Sequence, residues 1–194
     1  MKLSPQESLA WIAQRRSVFP KEFDDDIVSR TEIESLLEAA RWAPTHKLTE
    51  PWHFQVFMGA SKKQLTAVQV EAIVQGEASH EVIDLKSKKF EAIASRSSAV
   101  IAVILKRDPT RRIPRYEEEW AIATAVQNIQ LHATSFDIGM YWSTGAATNS
   151  AEINAFLGLS QEDLHMGWLY LGRFKERKEL VKERKEVSEF VAWR

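Results

Sequence analysis

Seven apolar side chains in a row follow Ser98 in the stretch SAVIAVIL, residues 98–105. A strand with one face in water carries polar residues at alternate positions, and this run has none, so it is read as a strand covered on both faces. It is far shorter than the roughly 20 apolar residues needed to cross a bilayer. The rest of the chain must therefore cover two faces, and helical patterns are plentiful. Ser4, Pro5 and Glu7 form a capping box with proline at the first helical position, followed by Leu9, Ile12 and Ala13 on one face. A second start fits the box twice, as Ser29 with Glu32 or Thr31 with Glu34. Ile33, Leu36, Leu37 and Ala40 then repeat at helical spacing until Pro44 stops the helix.

Residues 61–75 and 80–96 read as two more helices, and residues 117–136 as a long one. That long helix opens with acids suited to its N-terminal dipole and continues with apolar or small residues on most faces, which predicts a central, largely buried helix closed by Gly139. The aromatic and β-branched runs WHFQVFM (52–58) and MGWLYLG (166–172) read as further strands, and Asn149 or Ser150 caps a short helix ended by Gly158. The expected fold class is α+β, in one domain spanning 1–194 without internal repeats.

Composition removes several functions. With 26 basic and 27 acidic side chains in 194 residues, no net field favours nucleic acid or a membrane surface. With no signal-like segment either, the expectation is a cytoplasmic protein. The absence of cysteine excludes disulfides, thiolate metal ligands and cysteine nucleophiles, leaving any redox chemistry to a bound cofactor. The five histidines are scattered, with no second ligand at metal spacing, so no metal is expected.

Four stretches carry candidate chemistry. QRRSV (14–18) places the guanidiniums of Arg15 and Arg16 beside the hydroxyl of Ser17 at a helix end, a good donor set for a phosphate; the same arginines also suit the negative end of that helix in plain solvent. APTHKLTEPWHF (43–54) is a turn presenting His46 and Lys47 between two prolines. MYWSTGAAT (140–148) offers the plane of Trp142 and the hydroxyls of Ser143 and Thr144 to a flat heterocycle, or is simply a strand end and loop. KRDPTRRIPR (106–115) is a basic loop, read either as solvated or, through Arg107, Arg111, Arg112 and Arg115, as a seat for the 2′-phosphate of NADPH.

In order, RRSV, then LLEAARWAPTHKLTEPWHFQVF, then MYWSTG and INAFLGLSQEDLHMGWLYLGR resemble the FMN-dependent nitroreductase family, in its short branch with His-Lys in the flavin turn. The resemblance spans Arg15 to Arg173 and implies a mostly antiparallel central sheet flanked by helices. It also implies a homodimer with FMN at the interface, and domain-swapped arms formed by residues 174–194. NADH or NADPH would reduce the flavin, which passes electrons by a ping-pong scheme to a small-molecule acceptor such as a nitroaromatic or quinone. By match to the family motifs, Arg15, Arg16 and Ser17 hold the phosphate and nearby ribityl and ring atoms. His46 contacts the flavin from the other subunit, and Trp142, Ser143 and Thr144 lie along ring and ribityl. Arg173 is a further phosphate contact, and Arg16 or Lys47 would stabilise the reduced ring. A flavin carrier without turnover, or a dehalogenase or heterocycle oxidase, would keep the same motifs. Thr45-His46-Lys47 and Glu50 replace the commoner Ser-Gly and glutamine of this turn.

Overall fold

The computed structural model describes residues 3–76, 79–145, 148–175 and 184–194. Residues 99–105, predicted to be covered on both faces, form β2 (Ala99–Leu105), buried at every position. It lies inside a four-stranded antiparallel sheet with β1 (Trp52–Met58), β3 (Ile138–Ser143) and β4 (Leu164–Arg173), in the order β1-β2-β4-β3. Alternation along β2 sends its side chains to two cores. Ala99, Ile101, Val103 and Leu105 pack with α2 (Arg30–Ala40) and α5 (Arg115–Ala133). Val100, Ala102 and Ile104 pack with α3 (Ala60–Gly76), α6 (Ala151–Phe156) and, at its margin, α4 (His80–Arg96). At roughly 1.5–3 kcal/mol for each large apolar side chain, this double cover is the main source of stability.

Local signals account for the helix starts. In α1 (Pro5–Gln14) the Ser4 hydroxyl accepts from Glu7 N–H at 3.2 Å and the Glu7 carboxylate accepts from Ser4 N–H at 2.8 Å. Of the two boxes offered for α2, the structure uses Ser29 with Glu32, and Glu34 instead pairs with Arg30 at 2.8 Å. Ser150 caps α6 and Gly158 follows it at φ +66°.

Two expectations need correction. Gly139 does not close the long helix: a turn at 134–136 and Asp137, in the left-handed region at φ 52°, do that, and Gly139 lies inside β3. A Cβ at Gly139 would stand 2.8 Å from Cβ of Val18, so glycine is there to admit a neighbouring segment. Nor is α5 buried all round: Ile122, Ala125, Val126 and Ile129 face the sheet, while Tyr116 and Trp120 are 50% and 63% exposed. The helix α1 contributes no buried residue, with Leu9 and Ile12 exposed. Among the described residues no helix is long and apolar enough to cross a membrane.

Candidate functional site

Residues 15–19 leave α1 and run beside the edge strand β3. Ser17 forms a parallel bridge with Met140, Val18 N–H donates to Met140 O at 3.0 Å, and the rings of Phe19 and Tyr141 are 4.7 Å apart. The arginine-serine segment and the aromatic-hydroxyl segment, 125 positions apart by the pair Ser17 and Trp142, thus share one edge of the sheet. Arg15 is half-buried, and among the described residues its guanidinium hydrogen bonds only to a neutral group, Gln130 Oε1 at 3.2 Å. Burial first, and then Arg16 and Arg184, press its pKa below the usual value; a guanidinium nevertheless stays charged. Arg16 and Ser17 are exposed, with the Arg16 guanidinium turned onto Ala13 O and Arg15 O.

The His-Lys turn is at the opposite edge, just before β1. Lys47, Leu48 and Glu50 all have positive φ, at 52°, 50° and 44°, a conformation that costs non-glycine residues energy and persists only where it is held. The hold is visible. Thr45 Oγ1 accepts from Glu50 N–H at 3.2 Å, His46 Nδ1 lies 2.5 Å from Glu117 Oε2, and Lys47 Nζ donates to Arg112 O at 3.3 Å. His46 is thereby pinned to the first turn of α5, whereas Arg15 is pinned by Gln130 to its last turn. Thirteen residues of helix separate these anchors by about 20 Å, so one chain does not bring the two halves of the predicted site together.

Trp142 and Thr144 line a cleft of about 730 Å³ together with Thr148, Leu164, His165 and Met166. A β-bulge shapes it: Ala102 pairs with Trp168 and Ile104 with His165, so Met166 and Gly167 together oppose Val103. Gly167 sits at φ +113°, and a Cβ there would lie 2.6 Å from Ser143 O. Trp142 Nε1 donates to Met166 O at 3.0 Å, which fixes the indole plane against the bulge. Ser143, on the opposite face of β3, lines a second cleft with Tyr141 and Tyr170. Arg173 is committed internally, to Phe136 O and Glu32 Oε1, both at 2.5 Å. In the basic loop, Arg107 pairs with Glu118, Arg111 with Glu162, Arg112 with Asp108 and Arg115 with Glu119. Each of these guanidiniums has a carboxylate partner, with the pairs of Arg111 and Arg115 partly exposed.

Sequence reasoning did not single out His165 or Gly167, nor did it pair Arg173 with Glu32, His46 with Glu117 or Arg15 with Gln130. The pattern LHMGW gives His165 the look of any strand histidine; only Gly167, within an apolar strand, signalled a bulge.

The molecule is an α+β domain, a four-stranded antiparallel sheet with helices on both faces, with a cationic, hydroxyl-bearing segment along the edge strand that leads to the cleft. The chain belongs to the nitroreductase family, whose profile matches residues 12–173. A curated relative named "Putative NAD(P)H nitroreductase YdjA", from Escherichia coli K12, is 30% identical over 141 residues, covering 73% of this chain and 75% of its own length. The crystal structure of a nitroreductase-like family protein from Bacillus cereus matches with a TM-score of 0.85 at 27% identity, covering 100% of this chain and 98% of that one. A structure described as a "putative nitroreductase in complex with fmn", from Desulfovibrio desulfuricans, shares the fold at 21% identity and a TM-score of 0.73, covering 100% of this chain and 98% of its own.

Proposed function

We propose that the protein is a homodimeric FMN-dependent NAD(P)H oxidoreductase that passes electrons, in ping-pong fashion, to planar acceptors such as nitroaromatics and quinones. The relatives' names supply the donor and the flavin. The chain's own residues fit that group. Arg15 is a half-buried cation with a neutral partner, next to the exposed Arg16 and Ser17, a combination suited to a phosphate dianion. Trp142 supplies a plane and Thr144 a hydroxyl along the same edge, and the cleft they border has the size and largely apolar lining of a ligand site. FMN, when bound, supplies the two-electron chemistry; the protein's part is to position the ring, donate hydrogen bonds and limit water.

The observation that carries this reading is the pinning of His46 and Arg15 to opposite ends of α5. If the uncovered face of α5, with Tyr116 and Trp120, packs antiparallel on that of a second copy, His46 and Lys47 of one subunit come to Arg15 and Ser17 of the other. The dimer then has two complete sites, and α1 and the tail aromatics Phe190 and Trp193 gain cover. Lys47 and Arg16 would bring positive charge to the reduced ring. The test is the visible spectrum of the purified protein under anaerobic NADPH and then NADH. A flavin band that bleaches is expected, and a colourless protein unable to take up FMN overturns the proposal. Replacing Arg15 and Ser17 by Ala should weaken FMN binding about 10- to 100-fold, the loss of one or two charged hydrogen bonds.

A further inference from the structure

Helix α5 opens on three acids in a row, Glu117, Glu118 and Glu119, and each has a different partner. Glu118 is fully buried and takes the Arg107 guanidinium and, at 3.0 Å, Asp108 N–H. Glu119 pairs with Arg115 at 3.0 Å, partly exposed. Glu117 turns instead to a histidine. Its Oε2 lies 2.5 Å from Nδ1 of His46, and because a carboxylate only accepts, Nδ1 carries the proton. The contact joins residues 71 positions apart, so it is a product of the fold and not of local helix chemistry. The Glu117 side chain is 26% exposed and that of His46 54%, so the acid is the enclosed member and the imidazole the one that faces outward.

Other contacts hold the turn around His46, but they hold its backbone. Lys47, Leu48 and Glu50 keep their left-handed φ beside two anchors: Thr45 Oγ1 takes Glu50 N–H, and Lys47 Nζ donates to Arg112 O. Among the described residues, Glu117 is the one hydrogen-bond partner of the His46 ring. Without it a half-exposed imidazole would turn freely about its side-chain torsions. With it the ring is fixed, and Nε2 is the nitrogen left to meet a ligand. Ordering a contact group before the ligand arrives removes that cost from binding. We propose that Glu117 is a positioning residue, orienting the His46 ring so that Nε2 meets the flavin bound across the subunit interface. The inference deepens the functional reading and rests on it.

The test is a double-mutant cycle on the FMN dissociation constant of the full-length chain, with sedimentation velocity run on every variant. Glu117→Ala is expected to weaken FMN binding about three- to tenfold, the cost of ordering one side chain, without changing the oligomeric state. Glu117→Gln, whose amide oxygen still accepts from Nδ1–H, should keep most of the wild-type affinity. In a His46→Ala background, Glu117→Ala should have no further effect. ¹⁵N-histidine spectra of the FMN-loaded protein should show the His46 proton on Nδ1 in the wild type and in Glu117→Gln, and shared between the two nitrogens in Glu117→Ala. An unchanged FMN affinity in Glu117→Ala overturns the inference, because the ring then needs no holding. So does a loss that persists undiminished in the His46→Ala background, because Glu117 would then act through another contact. A wild-type protein that takes up no FMN overturns the functional reading, and the inference falls with it; that result is seen before any variant is made.

Discussion

Single residues decide the fine shape of the site. Gly167 takes φ +113° in a bulge where a side chain would strike Ser143 O and Trp142 Nε1 at 2.6 and 2.9 Å. Gly167→Ala should therefore cost about 2–3 kcal/mol from backbone strain alone, seen as a lower urea midpoint, and should red-shift Trp142 fluorescence as the indole loses its seat. A variant as stable as the wild type would show that the bulge yields readily. The glycine lies in a stretch read only as an apolar strand, and the partners of the charged residues were not legible either. Arg173 stands next to Gly172 in sequence and could equally have faced solvent; its engagement by Glu32, 141 positions away, depends on how α2 crosses the sheet. Arg15 and Ser17 were legible as donors, whereas the neutrality of Gln130, which leaves Arg15 available to an anion, was not.

Among the elements, the helix starts followed their caps closely because capping is a contact between residues three apart. Ser29 also donates to Glu32 at 2.8 Å, and Glu32 in turn holds Arg173. Ser29→Ala should cost about 1–2 kcal/mol in global stability, while Ser4→Ala, in a helix with no buried residue, should affect only local amide exchange. Hydrogen exchange with mass spectrometry separates the two outcomes. The loop 106–115 was read by its basic residues, yet its organiser is an acid. The Arg112 side chain, with Arg112 N–H and the Thr110 hydroxyl, holds the Asp108 carboxyl well below the usual carboxylate range, against the opposing effect of burial. A carboxyl with a depressed folded-state pKa stabilises the fold above its unfolded pKa, and that stabilisation fades as pH falls through about 4 toward the folded value. The stability gap between wild type and Asp108→Asn should accordingly be widest near neutral pH and narrow below about pH 4, as followed by thermal melts. A gap independent of pH would mean that the loop is held by packing instead.

At the scale of the molecule, the apolar surface left over is the informative part. Trp120, Tyr116, Leu9, Ile12, Phe190 and Trp193 are all at least 49% exposed in one chain, with Trp193 at 92%. If antiparallel packing of α5 covers them, Trp120→Arg should shift the protein to monomer in sedimentation velocity and weaken FMN binding by more than about tenfold, since each site would lose His46 and Lys47 together. Truncation before Phe190 should weaken the dimer less. A monomeric Trp120→Arg that keeps full flavin affinity would place the whole site within one chain.

The sequence alone determined the strand SAVIAVIL and the need for cover on both its faces, the helix starts marked by Ser4, Ser29 and Ser150, and the residue types of the candidate site, because periodicity, caps and donor chemistry are local properties. Only the tertiary structure decided that Ser17 runs beside Met140, that the basic loop is paired with acids, and that His46 and Arg15 are held at opposite ends of α5. Those facts depend on which distant segments the two cores bring together, and a long-range pairing leaves no periodic trace in the segments it joins.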